Sequence, residues 1–260
     1  GERVVTSDGA YPTFNFHVAA CGGELIKVPY RDDREDLGAL IEAARKHDAR
    51  IVYVTNPDNP MGSWWPAEAI DALISDLPEG AMLALDEAYI DTAPEGTAPA
   101  IDVDNPMVLR FRTFSKAYGM AGARIGYCLG EAGVIRQFEK IRNHYGINRI
   151  AQAGAKAALE DQAYLKETVR QVAAARQEIG RIVKANGLEA LASATNFVTV
   201  DCGRDSDFAR RVLEGLLARD IFVRMPGVAP LNRCIRIGAG RPADLAQFAK
   251  ALPEALAEAG

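Results

Sequence analysis

Residues 50–62 read RIVYVTNPDNPMG, and this stretch decides the fold. Its first six residues form a short apolar run rich in β-branched side chains, which predicts a buried strand. Two Asn-Pro steps follow, and because a residue before proline avoids the α region, the backbone there must be extended and turning. A single Asn-Pro dipeptide usually indicates only a structural turn. The doubled step at a strand end favours a side-chain amide, that of Asn59, directed at a ligand.

Short apolar runs of the same kind alternate with stretches of helical period in the first half of the chain. This alternation is typical of βαβ units and predicts an α/β fold, a mostly parallel sheet with helices on both faces. The predicted strands are residues 24–28, 50–55, 81–85, 107–111 and 124–128, and the predicted helices are residues 36–47 and 66–77. In such sheets ligands bind beyond the carboxyl ends of the strands, where Asn59, Asp86 and Lys116 all fall.

The pattern changes from about residue 152. The predicted elements there are a long helical run at 152–186 broken near Asp161, strands at 197–201, 221–224 and 234–237, and helices at 205–219 and 243–259. We therefore expect a large domain at residues 1–150, a connecting helical segment at 151–186, and a smaller α+β domain at 187–260.

Composition excludes several classes of function. A net charge of −5 argues against a general nucleic-acid or anionic-membrane surface. No apolar run reaches the roughly 20 residues that a membrane span needs. The four cysteines and three histidines are scattered along the chain. We expect reduced thiols in a cytoplasmic protein, and no metal site.

The lysine at position 116 has the neighbours that a phosphorylated aldehyde requires. Residues 112–116 read RTFSK, and Arg124 follows downstream. Lysine supplies an amine for a Schiff base, and nearby positive charge with partial burial favours its reactive, deprotonated form. Thr113, Ser115 and Arg124 offer donors for a phosphate. Alone, a Ser-Lys pair is weak evidence, because most lysines are merely solvated.

Asp86 follows an apolar run directly, where an unpaired carboxylate is costly. A protonated pyridine nitrogen would be a suitable partner, and Tyr89 lies close enough in sequence to reach the opposite ring oxygen if the segment turns. An N-cap role for Asp86 is about equally plausible when this residue is considered alone. Phe14, after the first strand signal, is suited to stacking on a planar ring, although a lone aromatic is more often core.

Five residues, in this order and spacing, resemble those of fold-type I pyridoxal-phosphate enzymes, the class I/II aminotransferases: Asn59, Asp86, Tyr89, Lys116 and Arg124. Residues 112–127, RTFSKAYGMAGARIGY, resemble the histidinol-phosphate aminotransferase branch. The resemblance covers nearly the whole chain.

The resemblance implies pyridoxal 5'-phosphate as the cofactor. Lys116 would bind its aldehyde and act as general acid and base, and Asp86 would keep the pyridine nitrogen protonated. Asn59 and Tyr89 would hydrogen-bond the phenolic oxygen. The resemblance assigns the cofactor phosphate to Thr113, Ser115 and Arg124, and the ring face to Phe14.

The substrates implied are an amino acid and a 2-oxo acid. Arg236 matches the arginine that clamps a substrate carboxylate, which a planar guanidinium suits. Arg224 matches a second arginine near a substrate phosphate, so histidinol phosphate is one candidate donor and an aromatic amino acid is another. The resemblance also implies a homodimer, and an N-terminal portion of the large domain that we expect to lie outside this chain.

Two alternatives remain open on the sequence. The same lysine and aspartate also serve pyridoxal-phosphate decarboxylases and lyases. A truncated relative kept as a non-catalytic binding or assembly module is the third reading, against which stands the completeness of the constellation.

Overall fold

A six-stranded sheet organises the first half of the molecule, and the computed structural model describes residues 1–260. Its strands are β1 (Arg3–Ser7), β2 (Glu24–Val28), β3 (Ile51–Thr55), β4 (Met82–Asp86), β5 (Val108–Thr113) and β6 (Gly126–Leu129). They lie in the order β2-β1-β3-β4-β5-β6. Every neighbouring pair is parallel except β5 and β6, which is antiparallel. The prediction of a mostly parallel sheet is confirmed.

Helices cover both faces of this sheet. They are α1 (Pro12–Ala20), α2 (Leu37–Lys46), α3 (Ala67–Ser75) and α4 (Ala132–Gln137). Alternate strand residues such as Val52 and Leu83 pack with α2 and α3 in one core cluster. Their neighbours Tyr53 and Ala84 point to the opposite face, where Phe14 of α1 packs against them. The region of α1 was not predicted to be helical.

Two helices connect this half to the rest of the chain. They are α5 (Arg149–Glu160) and α6 (Gln162–Ala185). The predicted break falls at Asp161, whose carboxylate accepts a hydrogen bond from the Tyr164 amide at 3.0 Å and so caps α6. No helix in the molecule combines the length and the apolar character that crossing a membrane requires.

The C-terminal part contains a second, antiparallel sheet. Its elements are β7 (Glu189–Ala190), β8 (Phe197–Asp201), α7 (Ser206–Leu217), β9 (Cys234–Gly238) and α8 (Pro242–Ala259), with the strands in the order β7-β8-β9. These elements and the end of α6 share one core of 20 buried residues. The predicted strand at 221–224 is wrong, because only Arg224 pairs with a neighbour, through a single bridge to Arg236.

Candidate active site

Three parallel strands deliver polar residues to one edge of the large sheet. Thr55, Asp86 and Thr113 end β3, β4 and β5, and the segments beyond them enclose a cavity of about 220 Å³. The cavity is lined by Tyr11, Thr55, Pro57, Asn59, Asp86, Ala88, Tyr89, Thr113, Ser115, Lys116 and Arg124. Seven residues singled out from the sequence therefore meet around one space, while Phe14, Arg224 and Arg236 are outside its lining.

Asp86 is held as an acceptor at the inner end of the cavity. Its Oδ2 accepts the phenol hydrogen of Tyr53 at 2.8 Å, and its Oδ1 accepts the amide hydrogen of Ala88 at 2.9 Å. Burial raises the pKa of Asp86, and these two hydrogen bonds and the charge of Lys116 oppose that rise. No arginine or lysine forms an ion pair with Asp86 in the structure. A partly buried carboxylate without a bonded cation is suited to a cationic ligand.

Lys116 lies on the segment that follows β5, and its amine faces into the cavity. The Nζ atom is 5.1 Å from the centroid of the Tyr89 ring, a cation–π distance. The flanking residues Ala117 and Tyr118 are buried, which anchors the backbone on this side. Lys116 forms no ion pair with any carboxylate, so its amine is available to a ligand.

Hydroxyl and guanidinium groups gather on the neighbouring wall. Thr113 Oγ1 donates to Ser115 Oγ at 2.9 Å and accepts from the Ser115 amide at 3.1 Å. Arg124 has a left-handed backbone, with φ of 52°, an uncommon conformation for a non-glycine residue. Its Nη1 donates to the carbonyl of Ala121 at 3.0 Å, and no carboxylate pairs with it. This wall is suited to an anion such as a phosphate.

Asn59 projects from a turn whose other polar groups are saturated. Asn56 exchanges side-chain hydrogen bonds with the backbone of Trp65 at 3.0 and 2.9 Å. Asp58 accepts from the Tyr30 phenol at 2.7 Å and from the Met61 amide at 2.9 Å. These bonds fix the turn, and the Asn59 side chain lines the cavity together with Pro57.

Arg236 reaches the same place from the small sheet. Its Nη1 donates to Asn59 Oδ1, and its guanidinium lies 4.5 Å from the Phe197 ring. Burial lowers the pKa of Arg236, and the charge of nearby Arg224 lowers it further. Arg236 has no ion-pair partner. A partly buried, unpaired guanidinium beside the cavity is a carboxylate or phosphate site by its chemistry.

Arg224 and Phe14 do not line the cavity. Arg224 exchanges backbone hydrogen bonds with Arg236 at 3.1 and 2.7 Å, and its exposed side chain lies by Phe222. Phe14 is stacked on Tyr53, with ring centroids 3.9 Å apart and 8° between the planes. One face of the Phe14 ring is thereby covered, and the aromatic residues that line the cavity are Tyr11 and Tyr89.

Sequence reasoning missed two tyrosines at this site. Tyr53 lies within a strand otherwise made of aliphatic residues and threonine. Because a buried tyrosine hydroxyl needs a hydrogen-bond partner, its phenol could have indicated a polar group nearby. Tyr11 precedes the proline that begins α1, and nothing in the sequence near it distinguishes a cavity wall from a surface residue.

The cavity has a counterpart for each reactive part of pyridoxal phosphate. An aldehyde matches the amine of Lys116, a basic pyridine nitrogen matches the buried carboxylate of Asp86, and a phosphate matches the hydroxyls beside Arg124. The donor set therefore fits this cofactor. On a mostly parallel sheet with its ligand edge at the strand ends, it is the arrangement of a fold-type I pyridoxal-phosphate enzyme.

The family model of the class I and II aminotransferases matches residues 1–252, so the chain belongs to this family. Enzymes of this family use pyridoxal phosphate, and the chain is a pyridoxal-phosphate-dependent aminotransferase. The match and the relatives support an enzyme that transfers amino groups, in preference to a decarboxylase, a lyase or a non-catalytic module.

Individual relatives carry a more specific name. The chain is 36% identical, over its full length and 70% of the relative's, to histidinol-phosphate aminotransferase 2 of Ralstonia nicotianae. It is 31% identical to histidinol-phosphate aminotransferase of Moorella thermoacetica, over 99% of the chain and 67% of the relative. The crystal structure of histidinol-phosphate aminotransferase from Sinorhizobium meliloti in complex with pyridoxal-5'-phosphate is 56% identical. It superposes with a TM-score of 0.97 over 99% of this chain and 71% of that one.

Proposed function

We propose that the enzyme transfers an amino group reversibly between histidinol phosphate and a 2-oxo acid. The observation that carries this proposal is Arg236, a partly buried guanidinium that contacts Asn59 of the cavity and has no anionic partner of its own. Arg224 is bound to Arg236 through the backbone, and its positive charge acts on that of Arg236. The two arginines form a cationic pair, of which Arg236 contacts a cavity residue. A substrate with a doubly charged phosphate suits that pair better than one with a single carboxylate. The relatives named histidinol-phosphate aminotransferase support histidinol phosphate as the proposed donor.

An aromatic amino acid is the second candidate. Tyr11 lines the cavity, and Phe16 on the same segment is 68% exposed. These rings would contact an apolar donor side chain, while Arg236 would bind its carboxylate.

The proposed roles of the remaining residues follow from their positions. Lys116 would hold the cofactor through its aldehyde, and the Lys116 amine would move the proton to and from the substrate Cα. Asp86 supplies the negative charge that keeps the ring nitrogen protonated, and Tyr89 and Asn59 donate to the ring oxygen. Bound here, the cofactor supplies the electron-withdrawing ring that makes the substrate Cα–H bond acidic. Phosphate binding falls to Thr113, Ser115 and Arg124. Phe14 would contact the cofactor ring with the face that Tyr53 leaves uncovered.

We further propose that the enzyme is a homodimer in the cytoplasm. Residues 141–150 are all exposed and include large apolar side chains, with Tyr145 99% and Ile150 86% exposed. A second copy is the occupant that would cover such a surface. All four cysteines are free thiols, which supports a reducing compartment.

A donor screen with arginine variants tests the proposed substrate. Arg224→Ala is expected to lower kcat/KM for histidinol phosphate by about tenfold to a hundredfold, and for an aromatic amino acid by much less, because a charge-assisted contact to phosphate is lost. Arg210→Ala is the matched control, since Arg210 is exposed on α7 and forms no ion pair. If both donors lose rate by the same factor, or if histidinol phosphate is no substrate of the unaltered enzyme, the proposal is wrong.

A further inference from the structure

Tyr53 places a phenol against the carboxylate that faces the cavity. The residue lies in the middle of β3, its side chain is 4% exposed, and it does not line the cavity itself. Its hydroxyl donates to Asp86 Oδ2 at 2.8 Å. Among the residues that line the cavity, Asp86 is the one to which the Tyr53 side chain is hydrogen-bonded.

The Asp86 carboxylate is fixed from two directions. Tyr53 donates to one oxygen, and the Ala88 amide donates to the other at 2.9 Å. With both oxygens engaged, the plane of the carboxylate is set, and one lone pair on each oxygen is left for a further donor. The Ala88 bond alone would hold only one of the two oxygens.

The phenol of Tyr53 is itself held in place. Its ring is stacked on Phe14, 3.9 Å between centroids and 8° between planes, and it packs with Ala10 and Ala84 in a small buried cluster. A ring clamped in this way keeps its hydroxyl at a constant distance from Asp86. The hydrogen bond is thus a preorganised one.

We propose that Tyr53 is a positioning residue for the cofactor, holding the Asp86 carboxylate oriented and charged towards the pyridine nitrogen. The proposal rests on the proposed role of Asp86 as the partner of that nitrogen. Tyr53 contributes no group to the reacting atoms. It acts through Asp86, and its removal changes how firmly the ring nitrogen keeps its proton.

The charges and hydrogen bonds around Asp86 support the same role for Tyr53. Burial raises the pKa of this carboxyl, and the Tyr53 hydrogen bond is the largest of the effects that lower it. The other charged groups acting on it are Lys116, which lowers the pKa, and Glu87, which raises it. Loss of the phenol therefore moves the pKa of Asp86 upward, and the carboxylate takes a proton more readily at the expense of the ring nitrogen.

The test uses the holoenzyme with cofactor labelled by 15N in its ring. Tyr53→Phe keeps the ring that stacks on Phe14 and removes only the hydroxyl. Asp86→Asn gives the reference signal for a ring nitrogen without its anionic partner. Tyr30→Phe is the matched control, since the Tyr30 phenol donates to a different buried carboxylate, Asp58, at 2.7 Å. The 15N shift is recorded against pH, together with the cofactor dissociation constant and the pH profile of kcat.

In Tyr53→Phe, the 15N signal is expected to move from the protonated position towards that of Asp86→Asn. Cofactor binding weakens about tenfold, and the acidic limb of the kcat profile moves to higher pH. Tyr30→Phe keeps the 15N signal of the unaltered enzyme. If Tyr53→Phe also keeps it while Asp86→Asn does not, Tyr53 has no positioning role although Asp86 is the partner. If Asp86→Asn leaves the signal unchanged, the role of Asp86 fails and the inference fails with it. Neither result depends on which amino donor the enzyme uses.

Discussion

At the scale of single residues, the structure separates arginines that have carboxylate partners from cations that have none. Glu87 is 1% exposed and accepts from Arg110 Nε at 3.0 Å and from Arg112 Nε at 2.8 Å. Lys116 follows Arg112 by four residues, and Arg236 is bonded to Asn59. Neither has a carboxylate partner. A buried charge without a partner is costly, so these two cations are suited to a bound anion or to a covalent adduct.

The Glu87 network predicts a large loss of stability on mutation. Glu87→Ala leaves the buried guanidinium of Arg110 without its carboxylate, and we expect the free energy of unfolding to fall by about 3 kcal/mol. Denaturant titration measures the change. Glu178→Ala, which removes an exposed helix pair with Arg181, is the control and is expected to have little effect. Equal losses in the two variants would contradict the structural role of Glu87.

At the scale of elements, the turn after β3 does most to shape the site. Its Asp58 carboxylate ties Tyr30 of the segment after β2 to the Met61 amide, and Glu35 accepts from the Thr55 amide at 2.9 Å nearby. Asn59 is presented to the cavity from this framework. The turn is therefore rigid because two buried carboxyl groups, Glu35 and Asp58, hold its backbone.

These buried carboxyls predict how stability depends on pH. Burial raises the pKa of Asp58 to about 6, above its ordinary value of 3.8. The folded chain then binds a proton more tightly than the unfolded chain, so stability contributed by this group is highest below the unfolded pKa. It falls as pH rises from about 4 to about 6, by about 3 kcal/mol in total.

Denaturant titration at a series of pH values measures this dependence. Asp58→Asn cannot titrate at this position, and we expect the decline between pH 4 and 6 to flatten in that variant. A decline of the same size in both proteins would assign the effect to other groups, Glu35 among them, whose pKa burial also raises.

The positions of the strands could be predicted from the sequence more fully than the contacts between residues of different elements. The runs at 24–28 and 81–85 recur in β2 and β4 because short, largely apolar runs are typical of strands in a sheet covered on both faces. The run at 221–224 has the same composition, yet only Arg224 finds a backbone partner, and pairing is a tertiary property that local pattern does not contain. Asn59, Asp86 and Lys116 of the cavity could be predicted because each lies at or just after the end of a strand. The bond from Tyr53 to Asp86 could not, since it joins two strands across the sheet.

At the scale of the whole molecule, we propose a division at residues 1–150, 151–186 and 187–260. The structure has two separate cores, and the end of α6 belongs to the second. One core joins the large sheet to α2 and α3, and the other joins the end of α6 to α7, α8 and the small sheet. Arg236 and Asn59 connect the two parts at the cavity. Hydrogen exchange that protects the two cores to different degrees would support the division, and uniform protection would contradict it.

The proposed homodimer is tested by molecular mass in solution. Light scattering is expected to give twice the 28.0 kDa of one chain. Ile150→Asp introduces a charge on the exposed apolar surface of residues 141–150 and is expected to shift the protein towards monomer. Leu217→Asp, at an exposed apolar position on α7, is the control. A monomer at all concentrations would contradict the proposal.

The measurement that tests the central claim most directly is borohydride reduction of the enzyme loaded with pyridoxal phosphate, followed by peptide mass spectrometry. The account predicts that the reduced cofactor is found on Lys116, and that Lys116→Ala takes up no label and loses about a thousandfold or more in amino transfer. Lys166→Ala, at an exposed position on α6, should label normally. A label on another lysine, or none on an active enzyme, would contradict the assignment of the cavity at the ends of β3, β4 and β5 as the cofactor site.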